Sequence, residues 1–346
     1  MSRAVLLALT GAFGAMVFQA STALAGGEVN IYSYRQPELI QPLLDGFTAK
    51  TGIATNVLFL DKGLVERLAA EGENAPADVI LTVDIARLTE AKEAGVTQPL
   101  KNATIESEIP PQFRDTDGDW FGLTTRGRVI YASKDRIAEN DLTYEDLADP
   151  KWKGRICIRD GQHSYNIGLF ASMIAHHGEA ATEKWLTGLK NNLARKPNGS
   201  DRSQAKSIMN GECDLALGNT YYVGVMMTND KEPEQKEWAK AIKIIFPNAK
   251  DRGTHVNISG MALAKYAPNK DNAVKLMEYL ASPEAQAIYA EKVFEYPVTP
   301  GVEPSDIVKS FGTIKPDTLP LTEVAAKRKL ASELVDKVGF NEGPSE

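Results

Sequence analysis

Residues 28–60, EVNIYSYRQPELIQPLLDGFTAKTGIATNVLFL, contain a β-rich run, a helical run and a second β-rich run in succession. The middle part, residues 37–52, has apolar residues at helical spacing, a proline near its start and a glycine at its end, as helices commonly do. The flanking runs at 28–34 and 54–60 are rich in residue types that favour strands. The stretch therefore predicts a strand–helix–strand unit, the building block of parallel α/β sheets.

The same alternation continues along the chain and is interrupted once. Further strands are predicted at 77–84, 154–160, 213–219 and 254–265, and further helices at 62–73, 165–178 and 200–212. Residues 117–133, DGDWFGLTTRGRVIYAS, are a long β-like run with no helix after them, which suits a strand that crosses between lobes. We therefore predict an α/β protein of two lobes joined by crossing strands, with a ligand cleft between them.

The predicted domain boundaries follow from this alternation. Residues 26–125 together with about 256–300 form the predicted first lobe, and about 126–255 form the predicted second lobe. Residues 301–346 are predicted to be a helical segment, with one helix, that packs on the lobes.

The N-terminus has the pattern of a secretory signal peptide, residues 1–25. Arg3 supplies a positive start, residues 4–18 are an uncharged apolar run, and Ala23-Leu24-Ala25 gives the small-residue cleavage pattern. The run is too short for a spanning helix of about 20 residues. We expect a mature chain in the periplasm with no membrane span; the alternative is a buried N-terminal helix.

The composition limits the class of protein. The chain has 39 basic and 46 acidic residues, a net charge of −7, and no basic stripe, which argues against a nucleic-acid partner. No nucleophile elbow, P-loop, zinc motif or His-paired cysteine is present, so we do not expect an enzyme. Cys157 and Cys213 are the only cysteines. The sequence leaves open whether they form a disulfide or remain two buried free thiols.

Three tyrosines follow the ends of two predicted strands. Tyr165 comes after the strand that ends at residue 160, and Tyr221 and Tyr222 come after the one that ends near residue 217. Ligands of open α/β sheets collect beyond the carboxyl ends of the strands, so we expect the three side chains to converge on the cleft. A single loop tyrosine would more simply be structural, because its ring buries well and its hydroxyl finds a partner.

Several phenol oxygens in one place suggest a hard, highly charged cation. A phenol has a reference pKa near 10, so it becomes a good ligand only when such an ion displaces its proton. Ferric iron fits this requirement. Zinc sites are typically built from Cys or His, and calcium sites from clustered carboxylates and carbonyls, which these loops lack.

Two arginines are placed to hold an anion beside such an ion. Three phenolates would balance a tripositive ion but fill only half of a six-oxygen shell. Arg35, at the end of the first strand, and Arg126, on the crossing strand, are candidates to bind a bidentate oxyanion such as carbonate. For each arginine the alternative is an ion pair at the surface or between the lobes.

With these residues in place, the chain resembles the periplasmic ferric-ion-binding proteins of bacterial ABC transporters, within the transferrin-like type II binding proteins. The matching stretches include NIYSYRQPELIQPLL, PADVILTVDIARL, FGLTTRGRVIYASKDR, GNTYYVG and HVNISGMALAK. The resemblance implies the type II fold, a monomer, and an inner-membrane ABC permease with its ATPase as partners.

The resemblance also implies a ligand set. It is to the subgroup in which three tyrosines hold Fe(3+) with a synergistic carbonate, which points to Tyr165, Tyr221 and Tyr222, with Arg35 and Arg126 near the anion. Other subgroups have a His or a His-Tyr pair where this chain has Gln36-Pro37, so a ligand at that spot is excluded. The predicted second shell comprises Tyr34, Gln36, Thr125 and Asn166.

Other polar residues near the predicted cleft have simpler interpretations. Asp84 is predicted to cap the following helix, His163 to hydrogen-bond locally, and His255 to make a contact in the return strand. The main alternative function is a binding protein of the same architecture for another solute, such as a polyamine, thiamine or an oxyanion.

Overall fold

The computed structural model describes residues 26–344, so the predicted signal peptide lies outside the described residues. The strands are β1 (Glu28–Ser33), β2 (Ala54–Phe59), β3 (Val79–Thr82), β4 (Phe121–Ser133), β5 (Ile156–Cys157), β6 (Leu215–Asn219), β7 (Ile242–Ile245), β8 (Val256–Leu263) and β9 (Tyr296–Pro297). The helices are α1 (Pro37–Thr51), α2 (Leu64–Glu71), α3 (Ile85–Glu93), α4 (Ala103–Glu108), α5 (Ser164–His177), α6 (Glu179–Asn191), α7 (Asp201–Met209), α8 (Thr220–Met227), α9 (Glu234–Ala241), α10 (Lys270–Ala281), α11 (Pro283–Val293), α12 (Asp306–Ser310), α13 (Leu321–Ala326) and α14 (Arg328–Lys337). Within residues 26–344, no helix combines the length and the apolar character that crossing a bilayer requires.

The strands form a sheet in two halves that share β4. The order is β2-β1-β3-β8-β4-β6-β5, with β7 and β9 also paired to β4. Residues 121–127 of β4 pair with β8, and residues 128–132 pair with β6. Strands β1, β2 and β3 run parallel, as do β5 and β6, whereas β4 and β8 run antiparallel to their neighbours. The predicted α/β class, with a strand that crosses between two lobes, is confirmed.

Helices cover each half of the sheet and enclose separate apolar cores. We call the half with β1–β3 and β8, packed by α1–α4, α10 and α11, the first lobe. The half with β5–β7, packed by α5–α9, is the second lobe. Fully buried residues such as Ile31 and Phe47 fill the first core, and Trp152, Phe170 and Leu217 fill the second. Because each lobe buries its own core, the junction at β4 and β8 is free to hold polar residues.

Two predicted elements differ from the observed ones. The strand predicted at 154–160 is only the two residues of β5, which pair with Leu215 and Ala216 of β6. The chain then leaves the sheet, and the side chain of Arg159 contacts Asp201. The C-terminal segment, predicted to contain one helix, contains α12, α13 and α14.

Candidate metal centre

The three predicted tyrosines lie in the first turns of two neighbouring helices. Tyr165 is the second residue of α5, and Tyr221 and Tyr222 are the second and third residues of α8. These helices follow β5 and β6, which are parallel neighbours, so both begin at the same edge of the sheet. The Nδ1 atom of His163 accepts a hydrogen bond from the backbone N–H of Tyr165 and caps α5, which is the predicted local role.

The tyrosine side chains meet in one cluster. The Oη atoms of Tyr165 and Tyr221 are 3.1 Å apart, and the rings of Tyr221 and Tyr222 have centroids 4.2 Å apart. Tyr221 is buried, whereas Tyr165 and Tyr222 are half-buried. The structure therefore brings the predicted trio together at two helix N-termini, whose partial positive charge favours negative groups.

The surroundings of Tyr221 and Tyr222 favour the protonated form of these two phenols. Burial raises the pKa of Tyr221 well above its ordinary value, and the neighbouring Tyr165 raises it further. Burial also raises the pKa of Tyr222, again with Tyr165 as the next cause. Clustered phenols in a buried site resist ionisation because their anions would repel one another. A highly charged cation would remove this obstacle.

A buried ion-pair network that was not predicted from the sequence lies next to the ring of Tyr165. Arg128 Nη1 is 2.6 Å from one carboxylate oxygen of Asp201, and Arg159 Nη1 is 3.1 Å from the other. The guanidinium carbons of these arginines lie 6.0 and 5.4 Å from the ring centroid of Tyr165. Arg128 stands two residues after Arg126 on β4 and so faces the same side, which is a signal that strand alternation offered.

The two predicted anion-binding arginines face the tyrosines from the first lobe and the crossing strand. Arg35 is buried, and its Nη2 atom lies 3.0 Å from Oε1 of Glu295. Arg35 therefore forms an ion pair, which was the alternative to its predicted role in anion binding. Arg126 Nη1 donates to Ser259 Oγ at 3.0 Å, and within residues 26–344 no carboxylate forms a salt bridge with it. Its Nε and Nη2 atoms are buried without a hydrogen-bond partner among the described residues.

The predicted second shell is only partly assembled. The hydroxyl of Tyr34 accepts a hydrogen bond from the Leu64 N–H, and its ring packs under Arg87, so it lies in the first-lobe core and away from the tyrosine cluster. Gln36 is exposed at the start of α1, and Thr125 is buried on β4.

Asn166, predicted as a second-shell residue, makes its side-chain hydrogen bonds to other groups of the protein. Its Nδ2 already donates to the carbonyl oxygens of Arg159 and Asp160, and its Oδ1 accepts from Arg128. Asn166 therefore belongs to the arginine network beneath Tyr165.

A small polar cavity lies behind Tyr165. It is lined by Arg126, Arg128, Tyr165, Asn219, His255 and Asn257. The unpartnered Nε of Arg128 and the unpartnered atoms of Arg126 are consistent with a site for oxygen atoms of an anion.

Carboxylate-based metal binding finds little support elsewhere. Among the residues described, the one group of His, Cys, Asp or Glu side chains close enough to share an ion is Asp115, Asp117 and Asp119. Lys92 Nζ lies 2.8 Å from an oxygen of Asp115 and of Asp117. Its ammonium already takes the place of a cation among these three carboxylates, so the group does not compete with the tyrosine cluster as a candidate centre.

Comparison with known proteins gives a consistent result. Residues 74–310 match the family model described as bacterial extracellular solute-binding protein. The chain is 43% identical over 316 residues to iron uptake protein A1 of Synechocystis, covering 90% of this chain and 87% of that protein.

Solved structures agree with the sequence matches. A Bordetella ferric binding protein is 52% identical, with a TM-score of 0.86 over 91% of this chain and 99% of that one. A Trichodesmium protein in complex with iron and citrate is 42% identical, with a TM-score of 0.86 over 91% of this chain and 100% of that one.

Proposed function

Because the chain belongs to the bacterial extracellular solute-binding proteins, we propose that it is a periplasmic carrier of ferric iron. It delivers the ion to an inner-membrane ABC permease, and the ATPase of that permease drives transport across the membrane. The predicted signal peptide at residues 1–25 accounts for export, and the mature chain acts as a monomer.

The observation that carries this proposal is the tyrosine cluster. Tyr165, Tyr221 and Tyr222 converge, with two of the hydroxyl oxygens 3.1 Å apart, at helix N-termini in a site that otherwise resists phenol ionisation. Three phenolates neutralise a tripositive ion, and the low-dielectric surroundings strengthen that attraction. Divalent ions gain less from the same ligands, so the site selects Fe(3+) by charge as well as by its preference for oxygen.

A synergistic anion, for which we propose carbonate, completes the shell. Arg126 offers its Nε and Nη2 atoms, the two donors that lie side by side on one edge of a guanidinium and suit a two-oxygen acceptor. Arg35 adds positive charge from the first lobe. A carboxylate group, such as those of the citrate in the Trichodesmium complex, presents the same pair of oxygens.

The two lobes close over the ion and open to release it. The lobe boundaries proposed are residues 26–125 with about 256–300, and about 126–255, with 301–346 packed on them. Closure is a hinge motion about β4 and β8 that excludes water from the tyrosines. Opening at the permease, loss of the anion, or protonation of the phenolates at low pH releases the ion.

A visible spectrum tests the proposal directly. Ferric phenolates absorb visible light, so the protein is expected to turn red to yellow-brown when iron is added in bicarbonate buffer. Tyr165→Phe, Tyr221→Phe and Tyr222→Phe should each lower ferric affinity by more than about 100-fold, since outer-shell partners of metal ligands already account for 10–100-fold. The affinity is measured by competition with a chelator.

Tyr266→Phe is the matched control, because Tyr266 is 41% exposed and remote from the cluster. It should bind iron as the wild type does. A colourless protein with added iron, or unchanged affinity in all three cluster variants, would overturn the assignment. Saturable binding of a polyamine, thiamine or a free oxyanion by that colourless protein would then favour the alternative solute.

A further inference from the structure

Glu295 is a buried carboxylate at the centre of the arginine pair, and no role has so far been assigned to it. Its side chain is 1% exposed and lies in the short link between α11 and β9. Its two oxygens accept from Arg35 Nη2 at 3.0 and 3.1 Å, and Oε2 also accepts from Ser259 Oγ at 2.9 Å and from Thr124 Oγ1. The carboxylate is therefore fully hydrogen-bonded and desolvated.

Ser259 extends the influence of Glu295 to Arg126. The Ser259 hydroxyl gives its one hydrogen to Glu295, so its oxygen is left to accept from Arg126 Nη1 and Arg35 Nη2. This contact uses Nη1 of Arg126 and leaves the Nε–Nη2 edge without a partner. Glu295 thus fixes which edge of Arg126 is offered to an incoming oxyanion.

The residue before Glu295 has an unfavourable backbone conformation. Phe294 has φ 59°, an uncommon conformation for a bulky residue. Its ring lies against Gly224 of α8, where a Cβ atom would come within 2.4 Å of it. Phe294 therefore packs on the helix that carries Tyr221 and Tyr222, while the next residue turns to the arginines.

Charge counting shows what this carboxylate does to the anion site. Arg35 and Arg126 together carry two positive charges, and Glu295 removes one of them. Although burial favours the neutral acid, Arg35 and Arg126 outweigh it and hold the pKa of Glu295 below its ordinary value. At neutral pH the arginine pair therefore presents one net positive charge instead of two.

We propose that Glu295 is a specificity-determining residue for the anion: its fixed negative charge lowers the preference of the arginine pair for doubly charged over singly charged oxyanions. The inference rests on the proposed function, because it concerns the anion that accompanies the ion. A unit charge a few Å from the bound anion changes the energy of each anionic charge by roughly the equivalent of a tenfold change in affinity.

The test uses iron-free, full-length mature protein, with sulfate as the dianion and nitrate as the monoanion. Their affinities are measured by titration calorimetry at neutral pH and fixed ionic strength. Glu295→Gln should raise the ratio of sulfate to nitrate affinity about tenfold. Arg35→Gln should lower that ratio about tenfold, and the double variant should return it to the wild-type value. A substitution that only disordered the site would weaken the binding of sulfate and of nitrate alike, and would leave the ratio of their affinities unchanged.

Glu291→Gln is the matched control, since Glu291 is exposed on α11 and pairs only with Lys292. Its ratio should equal that of the wild type. An unchanged ratio in Glu295→Gln, or no saturable anion binding in any variant, would overturn the proposal. Should Glu295→Gln alone fail to fold, comparison of the double variant with Arg35→Gln isolates the charge of Glu295 and still decides the matter. The ferric spectrum is scored separately, so failure of the iron assignment would be distinguishable.

Discussion

At the scale of single residues, two histidines beside the tyrosine cluster are kept neutral. Burial lowers the pKa of His163 and of His255 to about 4, and Arg128 adds to the effect on each. Neither ring therefore adds charge to the centre at neutral pH. The positive charge around the tyrosines comes instead from arginines, which stay charged at every accessible pH.

His255 makes the stability of the iron-free protein depend on pH. Its folded pKa of about 4 lies below the ordinary value of 6.5, so the unfolded chain takes up a proton first as pH falls. The stability that His255 contributes is complete above pH 6.5 and is lost between pH 6.5 and 4, by roughly 3 kcal/mol. His255→Gln should make this acid limb shallower, with the part due to His163 remaining, as measured by urea unfolding at a series of pH values.

His177→Gln is the control, because His177 is exposed at the end of α5. That variant should keep the wild-type slope. An equally steep acid limb in His255→Gln would show that other groups cause the loss of stability.

The sequence predicted residues whose role follows from position along the chain, and missed those whose role depends on distant partners. The tyrosines follow strand ends, and strand ends meet at one edge of a sheet. Glu295 is 260 residues from Arg35, and only the folded chain brings them together. Asp201 looked like part of a helix start, yet it is fully buried between two arginines.

At the scale of elements, a disulfide holds together the strands that lead to the tyrosines. Cys157 ends β5, and Cys213 lies two residues before β6; the structure joins them across a loop of 56 residues. The sequence left open whether these cysteines pair. Because β5 has only two residues in the sheet, the cross-link compensates for sparse backbone pairing at this edge.

Removing the disulfide should weaken the fold more than the metal centre. Cys157→Ala/Cys213→Ala is expected to lower the free energy of unfolding by about 2–4 kcal/mol, since the cross-link restricts the unfolded chain. Urea unfolding measures the loss, and wild-type protein in reductant serves as the control and should match the variant. The ferric spectrum should be unchanged, because the contacts that bring the three tyrosines together involve neither cysteine. A variant as stable as the oxidised wild type would contradict this view.

The length of β5 shows why element boundaries are hard to predict. Residues 154–160 have the composition of a full strand, and composition alone cannot tell how much of a run finds a pairing partner. In the structure only two residues of this run pair with β6. Arg159, two residues after the end of β5, contacts Asp201 instead. The long crossing strand β4 was easier to predict because nearly all of its residues pair with a neighbouring strand.

At the scale of the whole molecule, the C-terminal segment forms a third link between the lobes. Helix α13 packs against α3 of the first lobe and α5 of the second. Leu321 joins an apolar cluster of the first lobe, and Val324 joins the core of the second. The strands β4 and β8 are thus not alone in connecting the lobes, because the C-terminal segment, predicted to pack on them, contacts both.

Arg328, which begins α14, completes this link with polar contacts. Its Nη1 donates to the carbonyl oxygen of Ser164, next to Tyr165, at 3.2 Å and lies 3.7 Å from Asp84 Oδ1 in the first lobe. The other oxygen of Asp84, Oδ2, is buried without a hydrogen-bond partner among the described residues. In the opening motion proposed above, Asp84 moves away from Ser164, so at least one of these contacts breaks.

Weakening this link should make the protein release iron faster. Asp84→Asn keeps an oxygen for the Ala86 N–H that caps α3 but removes the charge facing Arg328. Losing about 1 kcal/mol from the closed form corresponds to roughly a fivefold faster transfer of iron to an external chelator, followed by the decay of the visible band. Lys329→Met, a neighbouring change at a side chain that is 91% exposed, should leave the rate unchanged. Equal rates in Asp84→Asn and the wild type would mean that the C-terminal segment does not restrain opening, and that β4 and β8 alone set the motion.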